Sequence, residues 1–203
     1  MTAGRKNTDT LSKDWCTPIK YVAAVRRTFG GIIHLDPCSN RWSLVEARVS
    51  WSLPKHDGLR EEWNFESIYV NPPYGADRER GTRISDWLRK CADAFERYRA
   101  EVIALVPVAA NTRHWKESVW ARATAVCFLY DTRLRFLEFG RDAGKGAPMA
   151  CAAIYWGSAA GRFSKAFCSH GAVVDLSNVQ LPDDAARRQL LLDGPDRKKL
   201  RLG

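Results

Sequence analysis

The 203 residues, 45% of them apolar, suffice for one domain with a real core and short tails. No run of about 18 apolar residues occurs, which excludes a membrane-spanning helix. The polar start from Met1 to Lys6 lacks the apolar stretch of a secretory signal, so a cytoplasmic location is expected, and the net charge of +9 suits a polyanionic partner such as nucleic acid.

Residues 1–13 are polar and are expected as a flexible arm before a domain at 14–181. Thr17 reads as a helix N-cap and Pro18 as the first helical position. Tyr21, Val22, Val25 and Phe29 then recur at helical spacing up to the stop signal Gly30-Gly31, which predicts a helix from about Pro18 to Phe29. Ile32 to Leu35 is a short buried strand running into Asp36-Pro37-Cys38-Ser39-Asn40. An acidic residue at a strand tip, followed by small polar residues, suits the charged and hydroxyl groups of a cofactor. The glycine-rich dinucleotide fingerprint and the phosphate-cradling Gly-Lys-Ser/Thr are both missing, which disfavours NAD and ATP.

Arg48 to Trp51 reads as a further strand, and His56-Asp57-Gly58-Leu59 as a turn with an acid at its tip. Only residues 37–70 separate Asp36 from Asn71. Each helical crossover needs at least about 10–12 residues, so some of the helices must be abbreviated to loops.

Ser67 to Val70 is a β-branched and aromatic run that reads as a buried strand. It stops at Asn71-Pro72-Pro73-Tyr74-Gly75, because prolines supply no backbone N–H and cannot continue a central strand. Open α/β sheets place ligands at such carboxyl ends. The chemistry that suits this turn is transfer to a planar, amide-like NH2, a poor nucleophile whose lone pair is delocalised. The Asn71 side-chain oxygen and the Pro72 carbonyl are placed to accept one N–H each, which draws the nitrogen towards tetrahedral geometry without a strong base. Tyr74 is placed to stack on a planar substrate. A plain strand-terminating turn is the alternative for a bare Asn-Pro-Pro, and the full five-residue motif after an apolar strand is more specific.

Residues 76–83 read as a charged loop in which Arg78, Arg80 and Arg83 follow the turn directly and are placed to touch phosphate, a plain solvated loop being the alternative. Ile84 to Tyr98 is an amphipathic helix, Val102 to Pro107 a buried strand, and Thr112 a cap for a helix containing Trp115, Val119 and Trp120. Ala125 to Tyr130 is the next strand. Residues 131–148 combine Arg133, Arg135, Arg141 and Lys145 with three glycines, as expected of a mobile basic loop. Ala150 to Trp156 returns as a strand, followed by a short helix from Ala159 to His170, a final strand at Val173-Val174, and a basic tail over 182–203. Alternating strands and helices, with strands buried on both faces, predict an α/β domain with a mostly parallel sheet. The six cysteines and four histidines show no metal-ligand spacing, so no metal site is expected.

Taken in order, Trp15-Cys16-Thr17-Pro18, Leu35-Asp36-Pro37-Cys38-Ser39, Asp57-Gly58-Leu59 and Val70 to Gly75 resemble the small phage- and prophage-encoded DNA adenine-N6 methyltransferases of the Dam type. Arg133 to Phe136 and the strand to Trp156 resemble that family as well. The resemblance covers residues 14–157. It implies an abbreviated Rossmann-like class I fold with helices on both faces of a mostly parallel sheet, S-adenosylmethionine as methyl donor, and double-stranded DNA as partner. It maps Trp15, Thr17 and Pro18 to the methionine end of the donor and Asp36, Pro37, Cys38 and Ser39 to its methionine and ribose. Asp57 maps to the donor's adenine amino group, and Asn71, Pro72, Pro73 and Tyr74 to the flipped target adenine. The first-strand motif lacks the glycine-rich form of large methyltransferases. Glu46 is the nearest candidate for a ribose-binding acid, and it reads more simply as a solvated helix charge.

Two other readings stay open on sequence grounds. A release-factor-type glutamine methyltransferase uses Asn-Pro-Pro-Tyr on the same nitrogen chemistry, against which stand the basic charge and the Trp-Cys-Thr-Pro lead-in. A non-catalytic nucleic-acid binding module would keep the fold, against which stands the intact Asn71 to Tyr74 set. With no separate target-recognition domain visible, a short or relaxed target site is expected.

Overall fold

The computed structural model describes residues 15–131, 134–138, 141–142 and 149–179. The expected N-terminal arm and basic tail lie outside them. The helical spacing of Tyr21, Val22 and Val25 produces α1 (Ile19–Thr28), which buries that stripe. The Pro18 carbonyl accepts from the N–H groups of Tyr21 and Val22, and Gly30, at φ 74°, turns the chain out of the helix. Thr17 does not cap α1. Its hydroxyl hydrogen-bonds the Tyr69 hydroxyl at 2.7 Å in a buried pair, a contact across 52 residues that no local pattern announces.

The central sheet takes its strands in the order β12-β8-β11-β7-β4-β2-β3. These are β2 (Leu35–Asp36), β3 (Val49–Ser50), β4 (Ser67–Val70), β7 (Glu101–Pro107), β8 (Ala125–Leu129), β11 (Cys151–Trp156) and β12 (Gly171–Asp175). Strands β3, β2, β4 and β7 run parallel, β11 is antiparallel to both of its neighbours, and β12 is antiparallel to β8. Five of the seven strands therefore point one way, as the buried apolar runs predict.

Alternation along each strand feeds two cores. Tyr69, Ile103 and Tyr155 face α1 and α4 (Ala160–Phe167) on one side. Ile68, Val70, Val102, Ile154 and Trp156 face α2 (Ile84–Tyr98) and the short α3 on the other. The latter starts as an α-turn at Arg113–Trp115 and continues as a π-helical turn over Lys116–Trp120. Helix α2 keeps the bounds its apolar period sets. Asp86 accepts from the Arg83 N–H at 2.9 Å at its start, and Arg99 in the left-handed conformation ends it. No helix interrupts residues 37–66, so the short crossovers are loops, as the residue count requires.

Two segments read as loops are ordered by pairing. Residues 76–83 form a hairpin of β5 (Ala76–Asp77) and β6 (Thr82–Arg83), entered through Gly75 at φ 140°. Farther on, β9 (Leu137–Glu138) pairs antiparallel with β10 (Arg141–Asp142) and also with β1 (Trp15–Cys16), at the opposite end of the chain. A two-residue ladder carries too little periodicity to be seen without its partner.

Candidate functional site

From β2 the chain places β3 on one side and then crosses back to place β4 on the other. This reversal of strand order makes a crevice beyond the carboxyl ends of β2 and β4. Asp36-Pro37 leaves β2 there and Asn71-Pro72 leaves β4. A cavity of about 440 Å³ opens beside them, lined among others by Pro37, Ser39, Trp51, Gly58, Pro73 and Arg80. A second cavity of about 480 Å³, between residues 59–63 and α2, contains none of the strand-end residues.

Asp36 is 3% exposed. Its carboxylate accepts from the Cys38 N–H at 3.2 Å and the Ser43 hydroxyl at 3.3 Å, and among the described residues no lysine or arginine pairs with it. Burial pushes its pKa up to about 6, against the opposing pull of the Cys38 N–H and the Ser39 and Ser43 hydroxyls. The folded chain thus binds this proton more tightly than the unfolded chain, whose value is 3.8. The resulting stability is fully present below about pH 4 and is lost as pH rises through about 6. Asp36→Asn keeps an acceptor for Cys38 and supplies a donor for Ser43. It is expected to melt higher than the parent above pH 6 and alike near pH 4. Parallel melting-temperature profiles across that range would show that Asp36 carries no such penalty.

Gly58 rests against the Pro37 turn so closely that a Cβ would lie 1.9 Å from the Pro37 carbonyl oxygen. The Trp63 indole N–H donates to the Gly58 carbonyl at 2.8 Å, and the Lys90 ammonium donates to Leu59 at 2.8 Å, pinning this segment from behind. Asp57 accepts from the Leu59 N–H at 3.1 Å and pairs with Arg80 at 3.2 Å and Arg60 at 3.5 Å. Arg80 also donates to Asp77 at 3.0 Å. Two carboxylates hold its guanidinium at the cavity wall, at 20% exposure.

The Asn71 side-chain NH2 donates to the Trp15 carbonyl at 3.0 Å. A carbonyl only accepts, so this contact fixes which end of the amide is which and turns the Asn71 oxygen away from Trp15 as an acceptor. The Asn71 backbone N–H faces the Cys38 thiol, whose pKa burial raises well above the usual value. Tyr74 is 8% exposed, and its hydroxyl donates to the Leu105 carbonyl at 3.1 Å. Trp15 meets its ring edge-on at 6.0 Å, and Phe136 does so at 5.6 Å.

The fold therefore gathers Trp15, Cys38, Asn71 and Tyr74 at the end of β4. It sets Pro37, Cys38, Ser39 and Pro73 along the cavity, with Asp36 buried next to that turn and Asp57 paired to Arg80. Pro18 stays at the start of α1, and Thr17 is buried against Tyr69. Arg78 and Arg83 are exposed on the β5–β6 hairpin, and Arg135 and Arg141 are exposed around β9 and β10. Arg133 and Lys145 lie outside the described residues. Sequence spacing missed the close approach of Gly58, the tethering of Arg80, and Phe136 on the Trp15 ring. Only the Asp-Gly turn left a local trace.

A family model described as DNA N-6-adenine-methyltransferase (Dam) matches residues 5–161. The chain belongs to this family. Comparisons with curated proteins and with solved structures found no match. Membership in the Dam family gives the chain its general activity, DNA N6-adenine methylation, and the seven-stranded sheet between helices is its Rossmann-like methyltransferase fold. Among the described residues no helix is long and apolar enough to cross a membrane, and no group of His, Cys, Asp or Glu could hold a metal ion.

Proposed function

We propose that this Dam-family chain transfers a methyl group from S-adenosylmethionine to N6 of an adenine flipped out of double-stranded DNA. The observation that carries the reading is the 3.0 Å contact from the Asn71 NH2 to the Trp15 carbonyl, which leaves the Asn71 oxygen to accept. The buried Asp36, with no cation paired to it among the described residues, fits a donor bearing positive charge and hydroxyls. Trp51 and His56, stacked at 6.2 Å beside the cavity, offer flat walls. On this reading Trp15, Thr17 and Pro18 lie toward the donor's methionine end, Asp36, Pro37, Cys38 and Ser39 along its methionine and ribose, and Asp57 near its adenine.

S-adenosylmethionine supplies a methyl group on a sulfonium, already a good leaving group. The chain's own work is positioning and electrostatics. The Asn71 oxygen and the Pro72 carbonyl each accept one N6 hydrogen and free the nitrogen's lone pair. When bound, the donor would give up its methyl carbon to N6 and keep the electron pair of the broken sulfur–carbon bond. The surplus N6 proton passes from these acceptors to water. Pro73 stiffens the turn, and Tyr74 with Trp15 forms the aromatic wall for a base whose unstacking costs a few kcal/mol.

Arg78, Arg83, Arg133, Arg135, Arg141 and Lys145 supply the phosphate contacts. Each contact made adds about 0.9 to the slope of log affinity against log salt, so DNA binding is expected to weaken steeply with salt. A flat titration would remove these residues from the interface. So few loops support a short or relaxed target site, which sequencing of methylated DNA would read. A long, strict site would count against it.

The test of the whole reading is tritium transfer from labelled donor to duplex DNA, RNA and a glutamine peptide. Label recovered as N6-methyladenine in duplex DNA is the expected result. Labelling of the peptide alone would overturn it in favour of a glutamine methyltransferase, and no transfer to any acceptor would leave a nucleic-acid binding module.

A further inference from the structure

The Asn71 amide is held by a backbone carbonyl, not by a side chain, so its orientation is only as firm as the placement of Trp15. That residue lies on β1, a strand of two residues whose only ladder among the described residues is the two-residue pairing with β9, Trp15 opposite Glu138 and Cys16 opposite Leu137. So short a ladder is weak by itself. What locks it is aromatic. Phe136, the residue before β9, stacks on the Trp15 indole at 5.0 Å and 14°, and its ring meets Tyr74 edge-on. It is 3% exposed, and Leu134 is 1% exposed. Between them Arg135 is turned outward, its side chain 66% exposed and 3.8 Å from Asp142. One strand-like stretch thus puts a ring on the wall of the site and a cation on the surface, in adjacent positions.

We propose that Phe136 is a positioning residue: by clamping Trp15 it holds the Asn71 amide with its oxygen presented, and it ties that orientation to the basic segment that meets DNA. The inference rests on the role given to Asn71 above. In this role Phe136 acts through Trp15, on which it stacks, and not on donor or base directly. It fixes Trp15, Trp15 fixes the amide, and the amide accepts the hydrogens of the nucleophile. Displacing Arg135 or β9 on DNA contact moves the ring that Trp15 rests on, so correct engagement of DNA and correct orientation of Asn71 become one event.

The test uses the full chain and two readouts. The first is the Asn71 side-chain NH2 resonance in a nitrogen-15 spectrum, assigned by its disappearance in Asn71→Asp. Phe136→Leu keeps an apolar side chain of most of the volume and removes the flat face, and Phe136→Tyr restores the ring. In Phe136→Leu the Asn71 resonance is expected to move towards that of a freely solvated amide, and Phe136→Tyr is expected to return it. The second readout is steady-state transfer to duplex DNA. A misplacement of this kind costs about 10- to 100-fold in kcat, with the donor KM little changed. Phe136→Ala is expected to show both effects more strongly, and Phe136→Leu serves where that variant fails to fold. An Asn71 resonance unmoved in Phe136→Leu overturns the proposal whatever the activity does, as does a loss confined to the donor KM. If the unaltered chain methylates no adenine, the reading of Asn71 has failed instead, and the resonance still shows whether Phe136 sets the amide.

Discussion

Asn71→Ala is expected to lower kcat for adenine methylation by about 10²–10³-fold, or about 3–4 kcal/mol of transition-state stabilisation, with donor binding intact. The size follows from what is removed. The nucleophile is an exocyclic amine whose lone pair is tied into the ring, and the Asn71 oxygen is one of only two acceptors proposed to release it. The amide is oriented before substrate arrives, because its NH2 is committed to the Trp15 carbonyl at 3.0 Å, so little reorganisation is required at the moment of reaction. Asn71→Asp separates the two functions of the side chain. It keeps acceptor oxygens and loses the donor to Trp15, setting a carboxylate against a carbonyl. Its activity is expected to fall between those of the native chain and Asn71→Ala. Single-turnover transfer of labelled methyl, beside donor affinity by calorimetry, measures both. Near-normal turnover in Asn71→Ala would remove the residue from the chemistry.

Gly58→Ala is expected to be the most disruptive single methyl group that can be added near the site. Its Cβ would fall 1.9 Å from the Pro37 oxygen and 2.9 Å from the Pro37 carbonyl carbon. Both are backbone atoms, so no rotamer change relieves the clash. The segment has no easy retreat, since Trp63 and Lys90 hold its carbonyls from the far side. Overpacking of this kind costs about 1–3 kcal/mol. In a chain of this length each kcal/mol lowers the melting temperature by about 2–4 °C. Because the displaced atoms belong to the Asp36-Pro37 turn, donor affinity is expected to fall with stability. Thermal unfolding and donor calorimetry on the same preparation test this. A variant that melts and binds like the parent would mean that the two turns are not coupled.

Much of this architecture is legible in residue order because it rests on local periodicity. Ile84 to Tyr98 reads as a helix with the bounds it has, since Trp87, Leu88, Cys91 and Phe95 mark one face. The run Ser67 to Val70 reads as a buried strand, and its two prolines mark where it must stop. The shortage of residues between Asp36 and Asn71 already forbids full crossover helices. The ordered motifs also place the chain with adenine methyltransferases, and the family match over residues 5–161 agrees.

Other features depend on partners far away in the chain. Thr17 has the sequence context of a helix cap, yet its hydroxyl goes to Tyr69, because once β4 is buried a tyrosine hydroxyl on it must find a partner. Arg80 reads as one cation of a charged loop, and its pairing with both Asp57 and Asp77 exists only because the β5–β6 hairpin folds back towards the 57–59 turn. Residues 131–148 look like a glycine-rich loop, and pairing with β1 at the other end of the chain helps make strands of Leu137–Glu138 and Arg141–Asp142.

The sequence by itself determined the strands of the central sheet, the main helices, the Asn-Pro-Pro-Tyr turn and the chemistry that turn suits, since each depends on backbone preference and on hydrophobic period over a few residues. Only the tertiary structure decided which way the Asn71 amide faces and what holds it there. An amide has two nearly isosteric ends, and the choice between them is made by a single carbonyl, brought from 56 residues away and set in place by a ladder of two residues and one stacked ring.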